Sequence, residues 1–132
     1  MHKRKEPIPD KTNKISGIIV DSALTVHRTL GPGLLERVYE ECLIQELTLR
    51  GLKVESQIPL PIEYKGLRIE DAVRIDILVE NCVIIEIKAV ETVLPVHEAQ
   101  LLTYLKLSNN RLGLLINFNS PLIKDGIKRI AN

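Results

Sequence analysis

Two apolar segments rich in β-branched residues, 72–79 and 82–90, constrain the fold more than any other part of this sequence. Only the polar pair Glu80-Asn81 separates them, so we predict that they form an antiparallel hairpin. Both segments are almost continuously apolar, which is typical of strands that are covered on both faces of a sheet. The chain therefore needs helices on both sides of its sheet.

Three segments have the apolar spacing of amphipathic helices, residues 15–30, 35–47 and 96–107. A Gly-Pro-Gly turn at 31–33 separates the first two of them. The third lies on the far side of the predicted hairpin. These helices can supply the cover that the hairpin requires.

Two further segments are predicted strands. Residues 52–62 alternate with period two, and Pro59 and Pro61 place this strand at a sheet edge or bend. Residues 111–118 form an apolar run of strand length. The predicted order is helix, helix, three or four antiparallel strands, helix and strand, with the form of the tail left open. This order indicates an α/β domain with helices on the faces of its sheet.

Composition narrows the class of protein. The chain has 132 residues, of which 45% are hydrophobic and 27% charged, as expected for one globular domain. The longest uncharged stretch, residues 112–123, is shorter than the roughly 20 residues that cross a bilayer. We therefore expect no membrane association. Two cysteines without metal-ligand spacing fit a cytoplasmic location.

The first 14 residues differ from the rest in charge. They hold five basic and two acidic side chains, which leaves 13 basic and 15 acidic ones in the remainder. We predict a flexible basic arm over 1–14, either solvated or touching phosphate, and a domain over 15–132. The domain is not a basic nucleic-acid binder by composition, and an aromatic content of 3% argues against base-stacking platforms.

Charged side chains interrupt the apolar hairpin, among them Asp76, Glu86 and Lys88. Burial of an unpaired charge costs several kcal/mol, so these side chains need a partner, a metal ion or a wet cleft. Alternation places Glu86 and Lys88 on the same face of their strand, about 7 Å apart.

The register of the hairpin decides whether Asp76 joins Glu86. Directly opposed residues of a hairpin project to the same face. Asp76 and Glu86 therefore share a face only if the two residue numbers of each opposed pair add to an even total. A two-residue turn would send Asp76 to the other face. We therefore predict a three-residue loop, 79–81, which pairs Leu78 with Cys82 and brings the two carboxylates together.

Two adjacent carboxylates repel each other by about 1–4 kcal/mol at ~4 Å. A hard divalent cation such as Mg²⁺ or Mn²⁺ removes this penalty, because it prefers oxygen ligands. We expect Asp76 and Glu86 to bind the metal and Lys88 to orient or deprotonate water, or to balance charge on phosphorus. The alternative is a salt bridge between Lys88 and one carboxylate at a wet sheet face.

These residues also carry a family resemblance. Asp76 followed by Glu86-Ile87-Lys88 resembles the PD-(D/E)XK nuclease superfamily. The segment from Gly33 to Tyr39, GLLERVY, is similar to the GxxExxY pattern of a family of prokaryotic proteins within it, and the similarity runs from about residue 19 to 130. The resemblance implies a restriction-endonuclease-like core, a mixed central sheet with helices on its faces, and Mg²⁺- or Mn²⁺-dependent phosphodiester hydrolysis.

The resemblance adds candidate site residues. Glu36 is implied as a further acidic member and a third candidate metal ligand, and Tyr39 lies on the same side of its helix as either a substrate contact or a core aromatic. Gln100 and Tyr104 resemble the Q-x-x-x-Y element of RecB-type members, which implies roles for both at the site. Arg74 shares the face of Asp76 and is a candidate phosphate contact.

Three hypotheses follow. The first is a magnesium-dependent nuclease acting on nucleic acid, DNA in preference to RNA. The second is a non-catalytic nucleic-acid- or protein-binding regulatory module with the same fold, because the domain is small and slightly acidic. A homodimer or a partner protein would then complete a binding groove. The third is an unrelated fold with a surface salt bridge.

Overall fold

The structure is a computed structural model that describes residues 6–132. Within that range, three α-helices, five β-strands and one short 3₁₀ turn follow one another along the chain. The helices are α1 (Asp10–Leu30), α2 (Glu36–Leu49) and α3 (Pro95–Ser108). The strands are β1 (Val54–Tyr64), β2 (Leu67–Val79), β3 (Val83–Lys88), β4 (Leu112–Asn117) and β5 (Ile127–Ala131). The 3₁₀ turn, Ile123–Gly126, precedes β5.

The strands form one mixed sheet in the order β1-β2-β3-β4-β5. Strands β3 and β4 are parallel and are connected through α3, whereas the other neighbouring strands are antiparallel. The mixed sheet with helices on its faces confirms the predicted fold class. Strand β1 is at the edge, as its two prolines predicted, and its register shifts between Leu60 and Ile62.

The two faces of the sheet carry separate apolar clusters. Helices α1 and α2 cover one face, where Ile85 and Ile87 of β3 are buried. Helix α3 covers the other face, where Ile84 of the same strand is buried. Because successive residues of a strand point to opposite faces, both sets of isoleucines are removed from water. The central strands are therefore covered on both sides, as their composition predicted.

Helix α3 lies close to β4 at one position. A Cβ atom added to Gly113 would lie 2.9 Å from Cδ1 of Leu101, closer than carbon atoms approach one another. The glycine therefore allows α3 to rest directly on the strand.

The structure corrects the N-terminal boundary. Helix α1 begins at Asp10, so residues 10–14 are helical and are not part of a flexible arm. Arg129 of β5 donates hydrogen bonds to Asn13 and to Ser16, which ties this first turn to the sheet. Residues 1–5 of the predicted arm lie outside the described range. Within that range, no helix has the length and apolarity of a membrane span.

Candidate functional site

The turn between β2 and β3 decides which side chains meet. Val79 pairs with Val83, so residues 80–82 form a three-residue loop. The odd loop length confirms the prediction, and the numbers of each opposed pair add to an even total. Regular pairing at this parity would place Asp76 and Glu86 on one face, but the pairing stops at Ile77 and Ile85, just before them. Ile77 packs in the cluster under α1 and α2, whereas Ile75 packs in the cluster under α3, so β2 loses its regular alternation at Asp76.

The predicted register is wrong by two residues, because Leu78 pairs with Ile84. Leu78 does not pair with Cys82, because the loop begins at Glu80. The backbones of Glu80 and Asn81 are both left-handed, at φ 51° and 55°, and the amide of Cys82 donates a hydrogen bond to the carbonyl of Val79 at 3.0 Å. Two consecutive left-handed residues close the turn tightly. The presence of Asn81 in the sequence did not indicate that Glu80 is left-handed as well.

Regular pairing of β2 with β3 ends at the carboxylates. The third pair is Ile77 with Ile85, and the next pair would be Asp76 with Glu86. Here the Asp76 amide donates to Glu86 Oε1 at 3.4 Å, and the Ile87 amide donates to Asp76 Oδ2 at 2.9 Å. Carboxylate oxygens thus take the place of backbone carbonyls as acceptors.

The environment of this pair disfavours two negative charges. Burial and the charge of Asp76 raise the pKa of Glu86 to about 8. Burial also raises the pKa of Asp76, and the charge of Glu36 adds to that rise. The ammonium group of Lys88 opposes both shifts, so it lies within electrostatic reach of both carboxylates. A cation at this position would relieve the remaining repulsion.

Helix α2 forms an acidic wall beside the pair. Asp76 lines a cavity of about 530 Å³ together with Glu36, Glu40 and Gln57. Glu40 is half-buried, and burial together with the charge of Asp76 raises its pKa. The sequence analysis did not identify Glu40 or Gln57 as site residues. The signal for Glu40 was available, because Glu36 and Glu40 are like charges at i, i+4 on one helix face, which is unfavourable without a reason.

Helix α3 forms a neutral wall on the other side. Gln100 Nε2 donates a hydrogen bond to the Tyr104 hydroxyl at 2.7 Å. Burial raises the pKa of Tyr104, and the negative charges of Glu86 and Asp76 add to the rise. Tyr104 is therefore close enough to feel the carboxylate pair. Gln100 is exposed at the surface of this wall.

The two remaining candidates differ in access. Arg74 lies two residues before Asp76, its side chain is 54% exposed, and its nearest acidic partner, Asp71, is 3.9 Å away. Tyr39 is fully buried and stacks on Phe118 with ring centroids 4.7 Å apart. A substrate cannot reach Tyr39, so its role as a substrate contact is corrected to that of a core aromatic.

The donor set suits a hard cation. Asp76 and Glu86 supply carboxylate oxygens, and one or two carboxylates are what Mg²⁺ usually takes from a protein while it keeps several waters. In residues 6–132 there is no group of three or more Asp, Glu, His or Cys side chains placed to hold a metal. Glu36 lines the cavity together with Asp76 but does not form a three-ligand group with the pair.

Comparison with known proteins identifies the family. A model of the PD-(D/E)XK nuclease superfamily matches residues 13–130, which include helices α2 and α3 and strands β1, β2 and β3. No curated protein and no solved structure matches the chain. The chain thus belongs to the PD-(D/E)XK nuclease superfamily.

Proposed function

We propose that this protein is a divalent-metal-dependent nuclease that hydrolyses phosphodiester bonds in nucleic acid. The observation that carries the proposal is the close placement of Asp76 and Glu86, whose carboxylates accept hydrogen bonds from the amides of Ile87 and Asp76, in a chain of the nuclease superfamily. Both carboxylates lie within electrostatic reach of Lys88. Alone, two adjacent buried carboxylates destabilise a fold. A bound cation turns this arrangement into a functional one.

Each side chain of the site has a role in this proposal. Asp76 and Glu86 hold Mg²⁺ or Mn²⁺, which when bound supplies a Lewis acid for the phosphate and lowers the pKa of water. Lys88 orients the attacking water and offsets negative charge that develops on the phosphate. Gln100, held by Tyr104, presents its amide to the substrate. Salt-bridge formation alone explains Lys88 less well, because in the described range it forms no ion pair within 4.0 Å.

We also propose that the chain is a GxxExxY protein, because the segment from Gly33 to Tyr39 has a physical explanation. Gly33 has a left-handed backbone at φ 102°, and Glu36 opens α2 facing the cavity. The Tyr39 hydroxyl donates to the Gly31 carbonyl at 2.5 Å and accepts from the Leu34 amide at 3.1 Å. Tyr39 therefore anchors the loop that sets the position of Glu36.

The charges around the site suggest how a substrate approaches. The carboxylates of the α2 wall, which also carries Arg37, repel phosphate. Arg74 and the Gln100 amide are exposed and can donate hydrogen bonds to it. These few contacts are fewer than the roughly 6–10 phosphate contacts of typical DNA-binding proteins. We therefore propose that a second subunit, from a homodimer or a partner protein, completes the binding groove. We propose DNA as the substrate.

The test compares wild type with Glu86→Gln and Lys88→Ala. We expect Glu86→Gln to lose Mn²⁺ binding in a calorimetric titration, because the amide keeps the shape but removes the charge that holds the cation. Lys88→Ala should bind Mn²⁺ and lose turnover by roughly 10²–10³-fold. Cleavage is measured on labelled single-stranded, duplex and branched DNA, and on RNA of the same sequences.

Glu70→Gln is the matched control, since it makes the same chemical change at an exposed hairpin position. It should bind and cleave as wild type does. Wild type that neither binds Mn²⁺ nor cuts any of these substrates would contradict the nuclease proposal. The non-catalytic module with the same fold would then be preferred.

A further inference from the structure

Gln57 has an unusual backbone at a particular place in the sheet. Strands β1 and β2 are paired on both sides of Gln57, and their register sets it opposite Asp76, but the described pairing skips this position. Its backbone is left-handed at φ 51°, a conformation that residues other than Gly, Asn and Asp rarely adopt. A glutamine held in this way carries a local cost, which some contact of its side chain must offset.

That contact is with helix α2. Gln57 Nε2 donates hydrogen bonds to both carboxylate oxygens of Glu40, each at 3.0 Å. Glu40 and Gln57 line the same cavity as Asp76. The left-handed backbone of Gln57 therefore directs its side-chain amide toward α2. The two hydrogen bonds then fix the carboxylate of Glu40 on the cavity wall.

Glu40 keeps acceptor capacity after this contact. A carboxylate offers about four lone-pair sites, and the single Gln57 amide group uses only part of them. A cation bound by Asp76 and Glu86 would keep several of its waters, and each such water needs an acceptor for its protons. A carboxylate held still on the facing wall is a suitable acceptor.

We propose that Gln57 is a positioning residue of the active site, which fixes the Glu40 carboxylate so that it accepts hydrogen bonds from cation-bound water in the cavity. This inference rests on the proposed nuclease function. It assigns a role to a strained backbone position and to a side chain that the sequence alone did not connect with the site.

The first test is Gln57→Gly, which removes the amide and suits the left-handed backbone. We expect a thermal midpoint equal to or above that of wild type. The kcat should fall about tenfold or more, with a smaller change in KM, because a misplaced group affects the reacting geometry. Mn²⁺ affinity, measured by calorimetry without substrate, should fall about tenfold, as for other outer-shell partners.

Lys65→Gly is the matched control. Lys65 is left-handed at φ 46° in the turn between β1 and β2, and its side chain lies over the ring of Tyr64. The substitution relieves the same kind of backbone cost in the same hairpin. It should leave kcat, KM and Mn²⁺ affinity at the wild-type values.

The second test reverses the hydrogen-bonded pair. Gln57→Glu alone places two carboxylates against each other and should lower the thermal midpoint. Adding Glu40→Gln restores a donor and an acceptor with the same net charge, but moves the charge from α2 to β1. We expect the double variant to regain thermal stability without regaining kcat or Mn²⁺ affinity. Recovery of kcat and Mn²⁺ affinity together with thermal stability would show that only the hydrogen bond between the two side chains matters, and would overturn the proposal.

The experiments separate the two levels of inference. Wild type that neither binds Mn²⁺ nor cuts any of the substrates would overturn the nuclease function and this proposal with it. Loss of both in Glu86→Gln, together with wild-type kcat and Mn²⁺ affinity in Gln57→Gly, would overturn the role of Gln57 alone.

Discussion

Strand β3 is paired differently with its two neighbours. With β4 it forms a parallel ladder that covers all six residues from Val83 to Lys88, whereas its antiparallel pairing with β2 covers only three. The missing pairs on the β2 side begin at Asp76 and Glu86. Regular structure therefore ends on the side of β3 where the charged side chains meet.

The difference shows how a sheet accommodates a polar site. On the β4 side all six neighbours of β3 are buried, all but Asn117 are apolar, and the backbone groups bond one another. On the β2 side, the Asp76 carboxylate accepts the hydrogen bond of the Ile87 amide. Side chains that replace backbone carbonyls accept the hydrogen bonds of the strand's amides. At the same time they remain close to a cavity that water can enter.

The largest expected effect comes from truncating a buried side chain on the β4 side of β3. Leu114 pairs with Ile85 and is 1% exposed, so Leu114→Ala should reduce the free energy of unfolding by about 2–5 kcal/mol. Leu78 on the β2 side pairs with Ile84 and is only half-buried, so Leu78→Ala should cost less. Urea denaturation measures both. Equal losses would contradict the larger contribution expected of the buried Leu114.

A second prediction concerns pH. The pKa of Glu86 is raised from 4.5 to about 8 by burial and by Asp76, so the folded state retains a proton that the unfolded state has released. The stabilising contribution is complete below about pH 4.5 and is lost as the pH rises toward 8. At about 1.4 kcal/mol per unit of pKa difference, the rise from 4.5 to about 8 corresponds to a loss of up to about 5 kcal/mol in the metal-free protein.

Thermal melts between pH 5 and 9, without divalent ions, follow this loss. Glu86→Gln should flatten the profile, because it has no proton to release. Saturating Mg²⁺ should also stabilise wild type at the alkaline end, since binding to the folded state alone adds stability. A metal-free melting temperature that rises across this range would contradict the assignment.

The smallest effect is local and sharpens the comparison within one strand. Asp76→Ala removes the acceptor of the Ile87 amide, so amide hydrogen exchange at Ile87 should accelerate by about 10–100-fold, as expected for loss of a hydrogen bond to a charged group. The amide of Leu115, in the β3–β4 ladder, should exchange at its wild-type rate. Acceleration at both positions would indicate that the two sides of β3 unfold together.

The predictable part of this site depends on local alternation. The charges within two apolar segments were enough to predict that Asp76 and Glu86 come close together, and hydrogen bonds join the two residues. The regular pairing on which the prediction of a shared face depended ends just before them. The exact register was not predictable, because it depends on two left-handed residues at Glu80 and Asn81. A residue type alone does not report its φ angle.

The remaining differences come from tertiary contacts. Strand β5 has the short, partly polar sequence IKRIA, which carries little strand signal, and it forms by pairing with the free edge of β4. Helix α1 begins early because β5 supplies a partner for its first turn. Gln57 has no distinctive sequence context, since its bond to Glu40 spans 17 positions and depends on how α2 is placed against the sheet.

Gly113 has a consequence for the width of the opening above the carboxylates. This residue lets Leu101 rest on β4, and Gln100, beside Leu101 on α3, is part of the neutral wall. One added methyl group on the strand would meet the Leu101 side chain at 2.9 Å, so Leu101 or the helix that carries it would have to move. The neutral wall is therefore supported from β4 by an apolar contact. The position of that wall depends on residue 113, although this residue has no polar side-chain atom.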